Sequence, residues 1–290
     1  MAFELSTFSS SASLHGVLTS AIFPMPAPPA QPPRPPAPRP HWSLITVADH
    51  ACELFEPPGA EPGRAAIYLH GVHESWLQES AGLRDAIEAA GLPVIAPRTG
   101  RSWWLDRIMP VFDRSITPER FVLEQVRAEI EQRLGVRPPG VALIGTGMGG
   151  QGALRISYRH PTVFPVSAAI APAIDFHLAM RECDERDDGE YYDTLWETYG
   201  DVERARQDTA ILHVHPLNWP RHQWFASDPA DIHWHDGAAR LQSKLRALGI
   251  PHTAVLEPRG NSTADLAANL APDMIRFIVD ALSQESRRLA

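Results

Sequence analysis

The feature that most constrains this chain is a glycine-rich turn that joins an apolar run to a helical pattern. Residues 141–144 read VALI, residues 145–150 read GTGMGG, and an amphipathic stretch then continues to Arg159. The apolar run predicts a buried strand, and the periodicity after the glycines predicts a helix. A strand that turns within a few residues into a helix is the building unit of parallel sheets. We therefore expect an α/β fold.

The same alternation of apolar runs and helical patterns continues from residue 42 to residue 282. The predicted strands are Leu44–Ala48, Ala65–Leu69, Pro93–Ala96, Val141–Ile144, Val166–Ile170, Gln223–Ala226 and His252–Leu256. The predicted helices are Leu77–Ala90, Pro118–Leu134, Met148–Arg159, Gly237–Leu248 and Leu266–Leu282. This order predicts a doubly wound, mainly parallel sheet with helices on both faces.

One segment departs from this alternation. Residues Phe176–Asp208 contain no strand pattern, are rich in charge and carry aromatic residues that include Tyr191, Tyr192 and Trp196. Sheets of this kind gather their functional residues at the carboxyl ends of the strands. We expect the segment to be a small helical insertion over those strand ends.

The first forty residues differ in composition from the rest. Residues 24–40 hold ten prolines in 17 positions. Proline fixes φ and removes an amide donor, so this stretch predicts an extended linker of the polyproline II type. We expect residues 1–40 to be a disordered proline-rich tail and residues 41–290 to form one domain.

Charge and composition exclude several classes of protein. The 26 basic and 35 acidic residues give a net charge of −9 without a basic run, which disfavours binding to nucleic acid. Two cysteines are too few for a disulfide scaffold, and no apolar stretch approaches the ~20 residues that span a bilayer. We expect a cytoplasmic protein with neither a nucleic-acid nor a membrane partner.

Two chemistries use a strand, a glycine turn and a helix in this order. Gly145, Gly147 and Gly150 fit G-x-G-x-x-G, in which bare backbone approaches the pyrophosphate of a dinucleotide. Gly145, Gly147 and Gly149 fit the nucleophile elbow G-x-S-x-G, except that glycine replaces the central serine. About 75 residues of strand and helix pattern precede the glycines, which favours the elbow. Nucleotide binding at the turn remains the second alternative.

With the elbow frame in place, longer stretches resemble a known family. Residues 147–176 (GMGGQGALRISYRHPTVFPVSAAIAPAIDF) are similar to the elbow helix of the α/β-hydrolase group that contains esterase D and S-formylglutathione hydrolase. Residues 68–75 (YLHGVHES) resemble its oxyanion strand, and residues 228–252 resemble its acid-bearing segment. The resemblance extends from residue 42 to residue 282. It implies an α/β-hydrolase fold and an ancestry in serine ester hydrolysis.

The resemblance also implies roles for individual positions. The family nucleophile falls on Gly147, and the backbone N–H groups of the oxyanion hole fall on Val72 and Met148. The acid falls on Asp231, with Asp228 as the alternative.

The position of the family histidine is also occupied by another residue. It falls on Ser262, or on Asn261 if the gap is placed differently, and no histidine follows His252. Glycine has no atom that can attack a carbonyl, and without an imidazole no base can activate a hydroxyl. The sequence therefore predicts a degenerate triad beside a retained pocket for a small ester-like or acyl ligand, with no cofactor.

The alternative is an active ester hydrolase that uses a displaced nucleophile or a metal ion. The metal version depends on two pairs with His-x-His spacing, His213 with His215 and His233 with His235, because such pairs share one face of an extended segment. The residues expected to line the pocket are His70, Gly71, His73, Trp103 and Trp104.

Overall fold

Eight strands form one sheet in the computed structural model, which describes residues 35–36, 39–182, 189–257 and 263–289. The strands are β1 Trp42–Val47, β2 His50–Phe55, β3 Ala65–Leu69, β4 Val94–Pro97, β5 Val141–Thr146, β6 Val166–Ile170, β7 His222–Ala226 and β8 Thr253–Val255. Their spatial order is β1-β2-β4-β3-β5-β6-β7-β8. Strands β1 and β2 are antiparallel to their neighbours, and all the other pairings are parallel. The predicted α/β fold is confirmed.

Strand β2 is the element that the sequence analysis missed. It pairs with β1 through a tight turn in which Ala48 and Asp49 have φ values of 44° and 69°. Two successive positive φ values match the turn that suits the twist of a two-residue hairpin. Strand β2 lacks a continuous apolar run because Glu53 lies in its middle, where the carboxylate accepts hydrogen bonds from the N–H groups of Leu77 (2.6 Å) and Gln78 (3.0 Å).

The centre of the sheet is apolar on both faces. All five residues of β3 are buried, and β3 pairs in register with β5 from Ala65 opposite Val141 to Leu69 opposite Gly145. Because side chains alternate between faces, Ile67 packs with one layer of helices while Ala66 packs with the other. Strands buried on both faces read as continuous apolar runs, which is why these were predicted accurately.

Nine α-helices lie within the described residues. They are α1 Ala81–Ala90, α2 Pro118–Arg120, α3 Arg127–Leu134, α4 Met148–Arg159, α5 Phe176–Glu182, α6 Asp193–Tyr199, α7 Val202–Arg206, α8 His235–Ala247 and α9 Thr263–Leu289. A π-helical segment, Phe121–Val126, joins α2 to α3 and makes one long helix with them, as predicted. The side chain of Thr117 caps its start by accepting a hydrogen bond from the N–H of Arg120 (3.2 Å). No helix among the described residues is long and apolar enough to cross a membrane.

The predicted insertion contains α5, α6 and α7 and, in its described part, no strand. A buried ionic network ties it to helices α2 and α4. The fully buried Arg155 on α4 forms ion pairs with Glu119 on α2 and with Asp208, which follows α7. The hydroxyl of Tyr199 on α6 donates to the same Asp208 carboxylate (2.7 Å). Burial alone would raise the pKa of Asp208, but the hydrogen bonds and charges around it hold that pKa well below its usual range.

Most of the predicted tail lies outside the description. Residues 33–290 belong to one compact unit, and residues 1–32 are not described. The separation of a disordered tail at residues 1–40 from a domain at residues 41–290 stays a prediction.

The Arg155 network gives a test of how the insertion is held. Arg155→Met leaves two carboxylates without their buried cation, so we expect the free energy of unfolding to fall by about 3–5 kcal/mol in urea denaturation. Arg133→Met is the matched control, because Arg133 forms an exposed pair with Glu129 and its loss should cost about 0–1 kcal/mol. A loss below about 1 kcal/mol in Arg155→Met would show that the network does not hold the fold together.

Candidate active site

The elbow lies between β5 and α4, and Gly147 is its apex. Gly147 has φ 54° and ψ −118°, a conformation that residues with a Cβ rarely adopt. Its N–H donates to the carbonyl of Ile170 (3.0 Å), and its carbonyl accepts from the N–H groups of Gln151 and Ala173 (both 3.0 Å). These three hydrogen bonds fix the turn to β6 and to the first turn of α4. The position therefore has the backbone geometry that presents a side chain at the apex, although its residue has none.

The flanking glycines have a different role, which is close packing. A Cβ on Gly145 would lie 2.3 Å from the carbonyl oxygen of Gly149, and a Cβ on Gly149 would lie 1.9 Å from that of Leu69. A Cβ on Gly147, by contrast, would meet nothing within 4 Å. Contacts inside the protein thus account for Gly145 and Gly149. The nucleotide-binding pattern uses Gly150 in place of Gly149, and binding of a nucleotide at this turn stays a prediction.

The two residues predicted to form the oxyanion hole, Val72 and Met148, lie beside the elbow at one cavity. Met148 is the first residue of α4, where a helix leaves its N–H groups without intrahelical partners, and Val72 lies on the loop after β3. Both residues line the cavity together with Gly147. The assignment of their N–H groups as an oxyanion hole, which would stabilise a developing negative charge, stays a prediction.

His70 orients the peptide that carries the Val72 N–H. The carbonyl of Gly71 accepts from the N–H of Glu74 (3.0 Å) and from Nδ1 of His70 (2.9 Å). Nε2 of His70 accepts from the N–H of Thr99 (3.2 Å), which fixes the neutral tautomer with its proton on Nδ1. Burial, reinforced by the charge of Arg98, lowers the pKa of His70 to about 3. The imidazole is therefore a structural group that holds a peptide plane.

The cavity at the elbow has a volume of about 230 Å³, and five of its 17 lining residues are Trp or Tyr. Residues from β3, the following loop, α1, the elbow and the insertion line it: Tyr68, Gly71, Val72, His73, Glu74, Ser75, Trp76, Ser80, Leu83, Trp103, Thr146, Gly147, Met148, Ala173, Tyr192, Trp234 and Ala267. Of the five predicted pocket residues, Gly71, His73 and Trp103 are among them.

The other two predicted pocket residues, His70 and Trp104, are buried and do not line the cavity. Their polar groups are used inside the protein, since the indole Nε1 of Trp104 donates to the carbonyl of His70 (3.1 Å). The sequence analysis also did not assign Tyr68 or Trp76 to the cavity. The sequence signal for Tyr68 and Trp76 is that both lie close to the His70-Gly71 motif.

Backbone strain is concentrated around this cavity. Among its lining residues, Glu74 and Trp103 both have φ 54°, as does Gly147 at the elbow. A left-handed conformation costs about 1–2 kcal/mol for a residue with a Cβ, and such costs gather at functional sites. The strain indicates a cavity whose shape is held by the surrounding structure.

The predicted acid lies in the turn between β7 and α8. Oδ1 of Asp231 accepts from the N–H groups of His233 and Trp234 (both 3.2 Å). Its Oδ2 is buried and has no hydrogen-bond partner among the described residues. Burial raises the pKa of Asp231, against the opposing effect of the two N–H groups. The alternative acid, Asp228, is buried and accepts from the N–H of Ala230 (2.8 Å).

The turn expected to carry the family histidine is not described. Ser262 and Asn261 lie outside the described residues, between β8 and the first turn of α9. The structure therefore gives no geometry for this position.

The paired histidines make separate contacts. Nε2 of His213 lies 3.2 Å from Oδ1 of Asp208, and Nδ1 of His215 accepts from the N–H of Leu217 (3.1 Å). The ring of His233 packs against Trp234, and Nδ1 of His235 is buried without a partner among the described residues. Within the described part of the chain, no three His, Cys, Asp or Glu side chains are grouped to hold a metal ion.

The two kinds of glycine at the elbow should respond differently to the same substitution. Gly149→Ala forces a methyl group into the Leu69 carbonyl, so we expect a loss of about 3 kcal/mol or more, or failure to fold. Gly147→Ala adds a methyl group in open space and should cost about 1–2 kcal/mol from φ strain alone. Urea denaturation followed by circular dichroism measures both, and equal losses would contradict these separate roles.

The neutral His70 predicts a pH dependence of stability. In the unfolded chain a histidine binds a proton as the pH falls below about 6.5, whereas the folded His70 stays neutral down to about pH 3. Because of this residue, the free energy of unfolding should decrease by about 1.4 kcal/mol for each unit by which the pH is lowered within that window.

A variant isolates this contribution. His70→Gln cannot take up the proton, so its deficit in unfolding free energy relative to the original chain should shrink between pH 6 and pH 4 in urea denaturation. A deficit that stays constant over this range would contradict the assignment of His70 as a neutral structural group.

Comparison with known proteins assigns this chain to a family. A family model described as Putative esterase matches residues 56–289. No curated protein sequence matches the chain significantly.

Solved structures share the fold. An S-formylglutathione hydrolase from Agrobacterium tumefaciens superposes with a TM-score of 0.67 at 18% identity, covering 83% of this chain and 94% of that one. MPT51 (FbpC1) from Mycobacterium tuberculosis gives 0.59 at 16% identity, covering 86% and 100%. An S-formylglutathione hydrolase (FrmB) from Staphylococcus aureus gives 0.58 at 13% identity, covering 82% and 99%. The chain, with its α/β-hydrolase fold and its elbow between β5 and α4, belongs to the esterase family that this model describes.

Proposed function

We propose that this chain is an esterase-family protein that keeps a small-molecule cavity for an ester-like or acyl ligand but does not run the serine mechanism. Gly147 carries the proposal, because the residue at the elbow apex has no nucleophilic atom. In serine hydrolases the apex hydroxyl attacks the carbonyl, and loss of the nucleophile typically lowers kcat by about 10⁶. The retained N–H groups of Val72 and Met148 would still bind an acyl oxygen.

The state of Asp231 supports the same proposal. In a working triad the acid accepts a hydrogen bond from the imidazole N–H and keeps the ring in its active tautomer. Here Oδ2 of Asp231 is buried with no partner among the described residues, and the sequence has no histidine after His252. Among the described residues, no group takes the place of the imidazole at this oxygen.

The strained walls of the cavity support binding as the retained role. Glu74 and Trp103 have positive φ values at the cavity, and such strained conformations persist where the surrounding structure holds them and gather at functional sites. Trp103 is held by stacking on Tyr192 (5.6 Å between ring centroids), a residue of the insertion. A cavity of fixed shape with few polar groups is the usual form of a small-molecule site.

An active hydrolase with a displaced nucleophile is the competing function. The hydroxyls of Thr146, Ser75 and Ser80 line the cavity. Oγ1 of Thr146 lies 3.0 Å from the hydroxyl of Tyr68, whose pKa burial raises to about 12. A phenol with that pKa is not a base near neutral pH, so it offers Thr146 no activation.

Covalent labelling separates the two functions. We expect no labelling of the full-length chain by a fluorophosphonate probe and no hydrolysis of p-nitrophenyl acetate above a buffer control. Gly147→Ser with Ser262→His restores a hydroxyl and an imidazole, so this double variant should be labelled. Gly147→Ala with Ser262→His is the matched control without the hydroxyl, and it should stay unlabelled.

Labelling of the unmodified chain would contradict the proposal, and peptide mapping would then identify the displaced nucleophile. Unlabelled protein that nevertheless hydrolyses the ester in a chelator-sensitive way would favour the metal version.

A further inference from the structure

The two edges of the sheet differ in how they are protected. Strand β8, at one edge, has three residues and begins two residues after Pro251. Strand β1, at the other edge, has six residues, and each of them pairs with a residue of β2 without a bulge. Short strands, prolines, charges and bulges are the features that keep sheet edges from pairing with other chains. Strand β1 contains neither a proline nor a charged residue, so it is the unprotected edge.

The backbone of β1 presents hydrogen-bonding groups outward. The carbonyl of His41 accepts from the N–H of Glu56, which follows β2 (3.0 Å). Because backbone groups alternate in direction along a strand, the residues of β1 that bond to β2 are Ser43, Ile45 and Val47. The N–H and C=O groups of Leu44 and Thr46 therefore point away from β2. Within the described part of the chain, β1 has no neighbouring strand on that side.

The side chains of this edge are apolar or uncharged. Leu44 is 46% exposed, and Thr46, two residues on and so on the same face, is also exposed. On the opposite face, Ile45 is half-buried and packs against the core. A second strand laid beside β1 would cover Leu44 and would bury no charge of β1.

The two ends of β1 carry opposite charges. Arg39 precedes the strand and Asp49 lies in the turn that follows it, and both are exposed. The Arg39 carbonyl accepts from the N–H of Trp42 (3.1 Å), which holds Arg39 beside the first residue of the strand. An antiparallel second copy would bring each Asp49 to the end that carries the other Arg39. The edge is therefore complementary to itself in charge.

We propose that two copies of this chain pair through β1, antiparallel, about a two-fold axis beside Ile45. Leu44 of each copy then lies opposite Thr46 of the other, and each such pair exchanges both of its N–H···O=C bonds. This register leaves the Trp42 N–H on the Arg39 carbonyl. The result is one sheet continuous through both copies, with a closed, isologous interface. The inference uses no residue of the elbow cavity and so goes beyond the proposed function.

Sedimentation velocity of the full-length chain over a series of concentrations tests the association. We expect a species with the mass of two chains. Leu44→Lys places two ammonium groups near the axis, so we expect the dissociation constant to rise at least about tenfold. Leu217→Lys is the matched control, because Leu217 is 85% exposed and lies outside β1, and it should leave the constant unchanged. Circular dichroism melts check that both variants fold.

A disulfide tests the register. In the proposed pairing Ile45 lies opposite its own copy in a non-hydrogen-bonded pair, where the two Cα atoms come close enough for a disulfide. We expect Ile45→Cys to form a covalent dimer under mild oxidation, seen by non-reducing electrophoresis. Ser43→Cys is the control: Ser43 is more exposed but lies opposite Val47, so it should stay monomeric. Both variants carry Cys183→Ser, which leaves the buried Cys52 as the other cysteine.

Three outcomes would overturn the inference. The first is the mass of a single chain at every concentration. The second is a dimer that Leu44→Lys weakens no more than Leu217→Lys does, since its interface would lie elsewhere. The third is cross-linking of Ser43→Cys as readily as of Ile45→Cys, which would contradict the register about Ile45.

Discussion

The site depends on a close approach between two pieces of backbone. Helix α4 begins directly against the end of β3 because Gly149 has no Cβ, which would otherwise lie 1.9 Å from the carbonyl oxygen of Leu69. Gly145 allows the same approach between β5 and the first turn of α4, and Gly152 allows the helix to pack on Trp104. This contact places Met148 at the cavity that the Val72 loop also lines. The position of Met148 thus follows from packing and does not need an apex side chain.

His70 holds the other part of the cavity wall, the loop after β3, in place. Its imidazole joins the Gly71 carbonyl to the Thr99 N–H, and its own carbonyl accepts from Trp104, so the loop after β3 is tied to the loop after β4. The buried Arg155 network ties α4 to the insertion that supplies Tyr192. None of these groups needs a nucleophile for its structural role. The cavity walls are therefore held in place whatever side chain the elbow apex carries.

The sequence predicted the elements whose patterns are local. The buried runs of β3 and β6 and the helix after Gly147 have the predicted bounds, since apolar strands and a glycine turn leave clear marks. Strand β2 was missed because Glu53 interrupts its apolar pattern. The Glu53 carboxylate accepts hydrogen bonds from the N–H groups of residues 77 and 78, which are distant in sequence. His70 was predicted to face the pocket, but its tautomer depends on Thr99 and its lowered pKa on burial and on Arg98, which a linear pattern cannot bring together. The cavity wall at Trp76 is likewise a product of tertiary packing.

The central claim, that this esterase-family cavity binds without forming an acyl-enzyme, is tested most directly by intact-protein mass spectrometry. The full-length chain is incubated with excess p-nitrophenyl acetate, quenched in acid at several early times and weighed. We predict a mass that stays at the value of the unmodified chain at every time, as it should for Gly147→Ala. An acetyl adduct that forms and decays at the rate of nitrophenol release would contradict the account.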